Sequence, residues 1–292
     1  MNRMSGHDAA CLEARAAGTP VGRIGYLNVL PIYRPLEDGS VANDFRFVSG
    51  PPSHLNDLMR QGLLPVSAAS SMEYASRPER YLLLPDLAIG SCGPVRSVLL
   101  LSDRPPAELD GETVLVSAQS HTSTALFRVL MAQRYGAGPR LIVGNAQQTL
   151  DIGERPTAML AIGDEALRLA GHPDYPEILD LGRAWQEWTG LPFIFGVWLA
   201  SREAYKADPE GVRRAGRILL EGKRRGVARM DEMCRLAASE AFMDLERARS
   251  YFAGLCYDLG EQECMGLTRF MECLAEAGTI PAVPDLEFLD LG

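Results

Sequence analysis

Asn28 stands inside the apolar run IGYLNVLPIY, Ile24 to Tyr33. A buried amide has donors and an acceptor to satisfy, and leaving them unpaired is costly. A ligand can supply those partners, and so can a neighbouring backbone. Tyr26-Leu27-Asn28, ahead of Pro31, is the first of several polar clusters at places where strands give way to helices or loops. Folds of the α/β class bind ligands at such places. A second cluster is Ser70-Ser71 with Glu73 and Tyr74, and a third is Ile89-Gly90-Ser91-Cys92-Gly93, whose glycines permit close backbone approach. The fourth, Ser117-Ala118-Gln119-Ser120-His121-Thr122-Ser123, sits at a helix start.

The fourth cluster has the most direct chemistry. A helix N-terminus presents unpaired N–H groups and partial positive charge, and the hydroxyls of Ser120, Thr122 and Ser123 add donors, a combination suited to carboxylate or phosphate. A plain Ser120 N-cap with a polar first turn accounts for the same residues. His121 is either a general base or a solvent-facing first-turn residue. Glu73, Asp86, Asp164 and Glu165 are candidate acids or bases without dyad spacing, and Asp164-Glu165 also suits a helix cap. The aromatic stretch DLGRAWQEWTGLPFIFGVW, Asp180 to Trp198, suits either a cleft lining with Thr189 as its polar handle or ordinary core. Nucleotide-binding glycine loops, a Ser-His-Asp order and H-E-x-x-H are all missing.

The elements that must position these groups read as α/β with a mostly parallel sheet. Ile24–Tyr33 reads as a buried strand interrupted by Asn28 and Pro31, with Val21–Tyr26 as its β-prone start. Further strands are expected at Phe45–Val48, Val66–Ala69, Val95–Leu101, Thr113–Val116, Met159–Ile162 and Phe193–Ala200. Ser53 is the expected cap of a helix carrying Leu55, Leu58 and Met59, and Asp208-Pro209 opens a helical region reaching about Gly278. The strands at 95–101 and 193–200 bracket an inserted α/β segment, as in a two-lobed fold with a two-strand hinge and the ligand between the lobes. The expected division is a disordered tail over 1–19, a discontinuous first lobe over 20–100 and 199–292, and a second lobe over 101–198.

Composition narrows the classes. A chain of 292 residues with 47% hydrophobic and 23% charged residues is long enough for two domains or for one large α/β unit. A net charge of −9 argues against nucleic-acid and anionic-membrane partners. Cys11, Cys92, Cys234, Cys256, Cys264 and Cys273 lack disulfide or metal-ligand spacing, as do the scattered histidines, which suits a reducing compartment. The first twenty residues hold no apolar signal region, and no stretch nears ~18 consecutive apolar residues. A cytoplasmic protein is expected.

In order, YLNVLP, PPSHLNDLMRQGLLPVSAASSMEY, IGSCGPVRSVLLLS, SAQSHTSTAL, AMLAIGDEAL and DLGRAWQEWTGLPFIFGVW resemble the menaquinone-biosynthesis family with a periplasmic-binding-protein-like fold. The resemblance spans about residues 20 to 280, and its YLN opening is similar to the chorismate-dehydrating branch. It implies a type II binding-protein fold turned enzyme, a carbon–oxygen lyase that holds chorismate and releases 3-[(1-carboxyvinyl)oxy]benzoate and water. No cofactor or metal is needed for such a step, and monomer and homodimer remain open. On this reading Asn28 touches the reacting ring or its leaving hydroxyl. Ser120, Thr122 and Ser123 would hold one carboxylate, and Ser70-Ser71 or Ser91 with Gly93 the other, with Tyr26 and Thr189 beside them. The proton acceptor is a substrate carboxylate or else Glu73 or Asp164. A solute-binding protein for a small carboxylate, a ligand-sensing domain and the sister 1,4-dihydroxy-6-naphthoate synthase are the alternatives.

Overall fold

Val29, Ile32, Tyr33 and Leu36 are buried and recur at i, i+3, i+4 and i+7. That helical period settles the opening segment differently from the expected strand. In the computed structural model, which describes residues 18–117, 121–239 and 243–292, strand β1 spans only Thr19–Arg23. A 3-10 turn over Leu27–Val29 and a helix over Leu30–Glu37 follow. Pro31 lies in the first helical turn, where a missing N–H forfeits no intrahelical bond, so it starts a helix instead of cutting a strand. Helix Pro209–Ala228 packs closely on this helix, since a Cβ at Gly226 would collide with the Pro31 carbonyl oxygen.

Strand β2 (Phe45–Ser49) leads to helix Pro52–Arg60. Its N-cap is Pro51 with no side-chain cap, not the expected Ser53, because Pro52 already supplies a first position without an N–H. Strand β3 (Val66–Ser70), fully buried, runs into helix Ser71–Ser76, and β4 (Tyr81–Ser91) is a long strand that the sequence reading passes over. The strand expected from Val95 begins later, as β5 (Val98–Ser102). Then come β6 (Thr113–Val116), β7 (Arg140–Val143), β8 (Ala158–Ile162) and β9 (Glu177–Asp180). Strand β10 (Phe193–Ser201) and the short β11 (Leu255–Cys256) complete the series.

Among the described residues these strands form two sheets, ordered β11-β4-β10-β3-β1-β2 and β7-β6-β8-β5-β9. Both are mixed, not mostly parallel. β1 is parallel to β2 and β3, whereas β10 is antiparallel to β3 and β4. In the second sheet β6 is parallel to β7 and β8, and β5 is antiparallel to β8 and β9. The chain leaves the first sheet at Ser91 and re-enters at Phe193, which pairs with Ser91, so the strands flanking the excursion must oppose each other.

β5 belongs to the second sheet and β10 to the first, so each expected hinge strand lies within one lobe and the two crossings fall beside these strands. The passages between the sheets are residues 92–97 and helix Leu181–Thr189 with residues 190–192. The expected boundaries after 100 and before 199 each fall inside a strand. The expected tail lies outside the described residues up to 17, and Thr19 is already in β1.

One apolar core reaches into both lobes. Trp185, Phe193 and Phe270 pack edge to face at its centre, and the Trp198 indole N–H donates to Tyr33 Oη at 3.1 Å. Trp185 and Trp198 are therefore core, and Trp188 is partly buried, edge to face against Trp185. Each such side chain contributes roughly 1.5–3 kcal/mol by burial. The C-terminal reading holds closely: Asp208 caps its helix through the Gly211 N–H, and Leu267, Phe270, Met271 and Leu274 are buried on helix Glu261–Glu276.

Candidate active site

A small cavity opens between the two sheets, the place where two-lobed folds hold their ligands. From the first lobe it is lined by Ile24, Tyr26, Asn28, Val29, Pro52, Ala69, Ser70, Ile89, Phe195 and Gly196. From the second lobe and the passage come Val95, Ser97, Val98, Thr122, Ser123, Ile162 and Gly163. The ends of β1, β3 and β8 therefore converge here, as α/β folds require of a ligand site. Ile194 pairs with Gly90 and Gly196 with Ile89, so Phe195 is the extra residue of a β-bulge, and it lines the cavity.

Asn28 meets this space from the 3-10 turn, and its Oδ1 is buried without a hydrogen-bond partner among the described residues. An orphaned acceptor of this kind costs about 1–3 kcal/mol, a cost that a ligand donor removes. Tyr26 lies against Gly163, where a Cβ would come within 3.0 Å of the phenol ring. Burial, with the Asp164 and Glu165 carboxylates adding to it, pushes the Tyr26 phenol up to about 12, so it stays a neutral donor.

The hydroxyls divide by lobe. Ser70 caps helix Ser71–Ser76 by accepting from the Glu73 N–H at 3.2 Å, and also accepts from Asn56 Nδ2 at 3.4 Å. Thr122 and Ser123 lie in the first turn of helix His121–Val129, and Thr122 Oγ1 accepts the Met72 N–H at 3.1 Å across the cleft. Ser97, which belongs to none of the four polar clusters, also lines the cavity. Its carbonyl accepts the Gly163 N–H at 2.7 Å, and its Oγ accepts from the Tyr251 hydroxyl at 3.4 Å. Arg96 is outside the lining, with positive φ; its N–H and that of Val95 donate to the Asp180 carboxylate at 2.7 and 3.0 Å. That turn is what aims Val95 and Ser97 inward, and no local sequence period signals it.

The remaining expected site residues sit elsewhere. Ser71 Oγ donates to the Ile194 carbonyl at 2.6 Å, and Ser91 is fully buried under the passage. Gly93 faces Gln186 and Gly182. Thr189 closes its own helix, donating to the Trp185 carbonyl at 2.9 Å and accepting from the Leu191 N–H at 3.2 Å. Ser120 lies outside the described residues. Glu73 is buried away from the cavity, bridged to Arg60 at 2.6 Å and accepting from Tyr81 Oη at 2.9 Å. Asp164 lines an adjoining groove with Tyr26, Glu165 and Arg168. His121 is exposed, in a separate groove with Arg60 and Arg77. No Asp, Glu, Lys, Arg or His is among the described residues that line the cavity. The site offers hydroxyls, an amide and the first turn of a helix, groups whose chemistry suits an anion.

Residues 19–276 match the model of a family described as menaquinone biosynthesis. The chain is 30% identical over 264 residues to the chorismate dehydratase of Thermus thermophilus, covering 85% of this chain and 92% of that protein. It is also 30% identical to the chorismate dehydratase of Campylobacter jejuni over 179 residues, 60% of this chain and 64% of the other. Among solved structures, a protein of Archaeoglobus fulgidus superposes with a TM-score of 0.70 at 19% identity, covering 89% and 98% of the two chains. The periplasmic aliphatic sulphonate binding protein of Escherichia coli gives 0.62 at 13% identity, covering 92% and 95%. These likenesses show the periplasmic-binding-protein fold.

Proposed function

Because the chain belongs to the menaquinone-biosynthesis family, we propose that it is a chorismate dehydratase, a carbon–oxygen lyase that makes 3-[(1-carboxyvinyl)oxy]benzoate and water. The observation that carries the mechanism is the cavity's lining, which among the described residues holds an amide and hydroxyls but no carboxylate, imidazole or amine. A substrate reacting there brings its own base, and chorismate has two carboxylates.

One substrate carboxylate is held by Thr122 and Ser123 at the helix start, with Ser70 facing them from the first lobe. Each neutral donor to a charge contributes roughly 1.5–3 kcal/mol. Asn28 meets the ring hydroxyl, and its orphaned Oδ1 takes the donor it lacks. The proton on the ether-bearing ring carbon passes to a substrate carboxylate and on to the departing hydroxyl oxygen. The C–H pair becomes the ring's new π bond, the C–O pair leaves with the oxygen, and water is released. Aromatisation supplies the driving force, so orientation and proton delivery are what remain for the protein. Tyr26, neutral through the physiological range, donates to the second carboxylate.

No helix among the described residues is long and apolar enough to cross a membrane, which fits a cytoplasmic enzyme acting on a soluble substrate. The deciding experiment incubates purified, metal-stripped protein with chorismate and follows loss of one water by mass spectrometry. An aromatic dehydrated product is expected. Tight binding without turnover would make the protein a carboxylate-binding relative instead.

A further inference from the structure

Cys92 and Cys256 are far apart in sequence and have no metal-ligand spacing, yet the fold brings them together. Cys92 directly follows β4, at the start of the passage to the second sheet. Cys256 ends β11, which pairs antiparallel with β4 so that Leu255 opposes Ser91 and Cys256 opposes Gly90. The two Sγ atoms and a carboxylate oxygen of Glu263 all lie within 4.8 Å of one another.

The surroundings of this trio are shaped for it. A Cβ at Gly90 would lie 2.7 Å from Cys256 Sγ, so glycine there makes room for the sulfur. Glu263 stands in the first turn of helix Glu261–Glu276, and its Oε2 accepts the Gly260 N–H at 3.1 Å. That bond orients the carboxylate as an outer-shell partner orients a metal ligand. Cys92 is exposed, and Cys256 and Glu263 are half-buried, so the group opens to solvent on one side.

We propose that Cys92, Cys256 and Glu263 bind one thiophilic divalent cation of the zinc class. Two sulfurs and one carboxylate suit such an ion in tetrahedral geometry, with water in the fourth position. Each thiol gives up its proton as its sulfur bonds the ion, so two protons leave per ion bound. The ion ties the passage at residues 92–97 to the C-terminal helix, and through that passage to Val95 and Ser97 in the cavity wall. This assignment stands apart from the chorismate reading and does not depend on it.

The test titrates the reduced, metal-free full chain with cobalt(II) and reads thiolate-to-cobalt charge-transfer absorption. Saturation at one equivalent is expected, with zinc displacing the cobalt. The absorption should be lost in Cys92→Ser and in Cys256→Ser, and Glu263→Gln should keep the band at weaker affinity. Circular dichroism verifies folding, and if Cys256→Ser does not fold, the exposed Cys92→Ser decides alone. Absence of the band in the parent protein overturns the proposal. So does a band that persists in the variants, which would place the metal on Cys234, Cys264, Cys273 or Cys11.

Discussion

Thr122 Oγ1 accepts the Met72 N–H at 3.1 Å, joining the helix that opens the second lobe's side of the cavity to the helix that follows β3. One hydroxyl thus links the two sides of the cavity at the helix start proposed to hold a substrate carboxylate. Replacing it with the near-isosteric valine leaves a cross-cleft N–H without its acceptor, at about 1–2 kcal/mol. We expect Thr122→Val to raise the KM for chorismate roughly 5–30-fold while kcat moves less. Steady-state kinetics check this, and an unchanged KM would separate the contact from binding.

Asn28 carries a cost in the free protein because its Oδ1 has no hydrogen-bond partner among the described residues. Asn28→Ala should therefore leave the melting temperature unchanged or slightly raised. Loss of a positioned amide should lower kcat by about 10²–10³. Thermal melts run beside turnover assays test both halves, and full turnover would remove Asn28 from the reaction.

Glu73 is buried against Arg60 and Tyr81 and does not line the cavity. Glu73→Gln breaks the ion pair, and we expect about 1–3 kcal/mol less stability. Turnover per folded molecule should stay within about threefold if the substrate supplies the base. An inactive variant that still binds chorismate would make Glu73 the base.

Tyr26 gives the pH dependence its sign. Its phenol is raised to about 12 by burial and then by Asp164 and Glu165, so it remains protonated while an unfolded tyrosine ionises near ~10. Stability from this group is intact below ~10 and declines as pH climbs toward 12. Among the described lining residues Tyr26 alone carries a titratable side chain, so kcat/KM should be flat from roughly pH 6 to 9. It should fall below about pH 5, where substrate carboxylates take up protons. Tyr26→Phe should keep the flat profile at roughly tenfold lower kcat/KM. A step near pH 6–7 would point to a histidine instead.

Local physics accounts for what was legible in the residues. Asp208-Pro209 reads as a helix start because cap and first turn are neighbours in sequence, and Leu267, Phe270, Met271 and Leu274 read as core because a helix face repeats every 3.6 residues. Asn28 stands out for a similar reason, as an amide in an apolar run. The same locality misleads at Pro31, where a proline after apolar residues can cut a strand or start a helix and only the positions of Ile32, Tyr33 and Leu36 distinguish the two.

The sequence alone therefore determined the fold class, the family resemblance and the polar clusters from which the cavity draws part of its lining. Tertiary structure decided which members of those clusters face the cavity: Ser70 and not Ser71, Ser97 and not Ser91 or Gly93, Thr122 and Ser123 but neither Glu73 nor Asp164. It also brought Cys92 beside Cys256. These outcomes follow from strand pairings between distant segments, such as Phe193 with Ser91 and Leu255 with Ser91, and from the bulge at Phe195. A one-residue change of register turns a strand's side chains to the opposite face, and no local period encodes the register between segments so far apart.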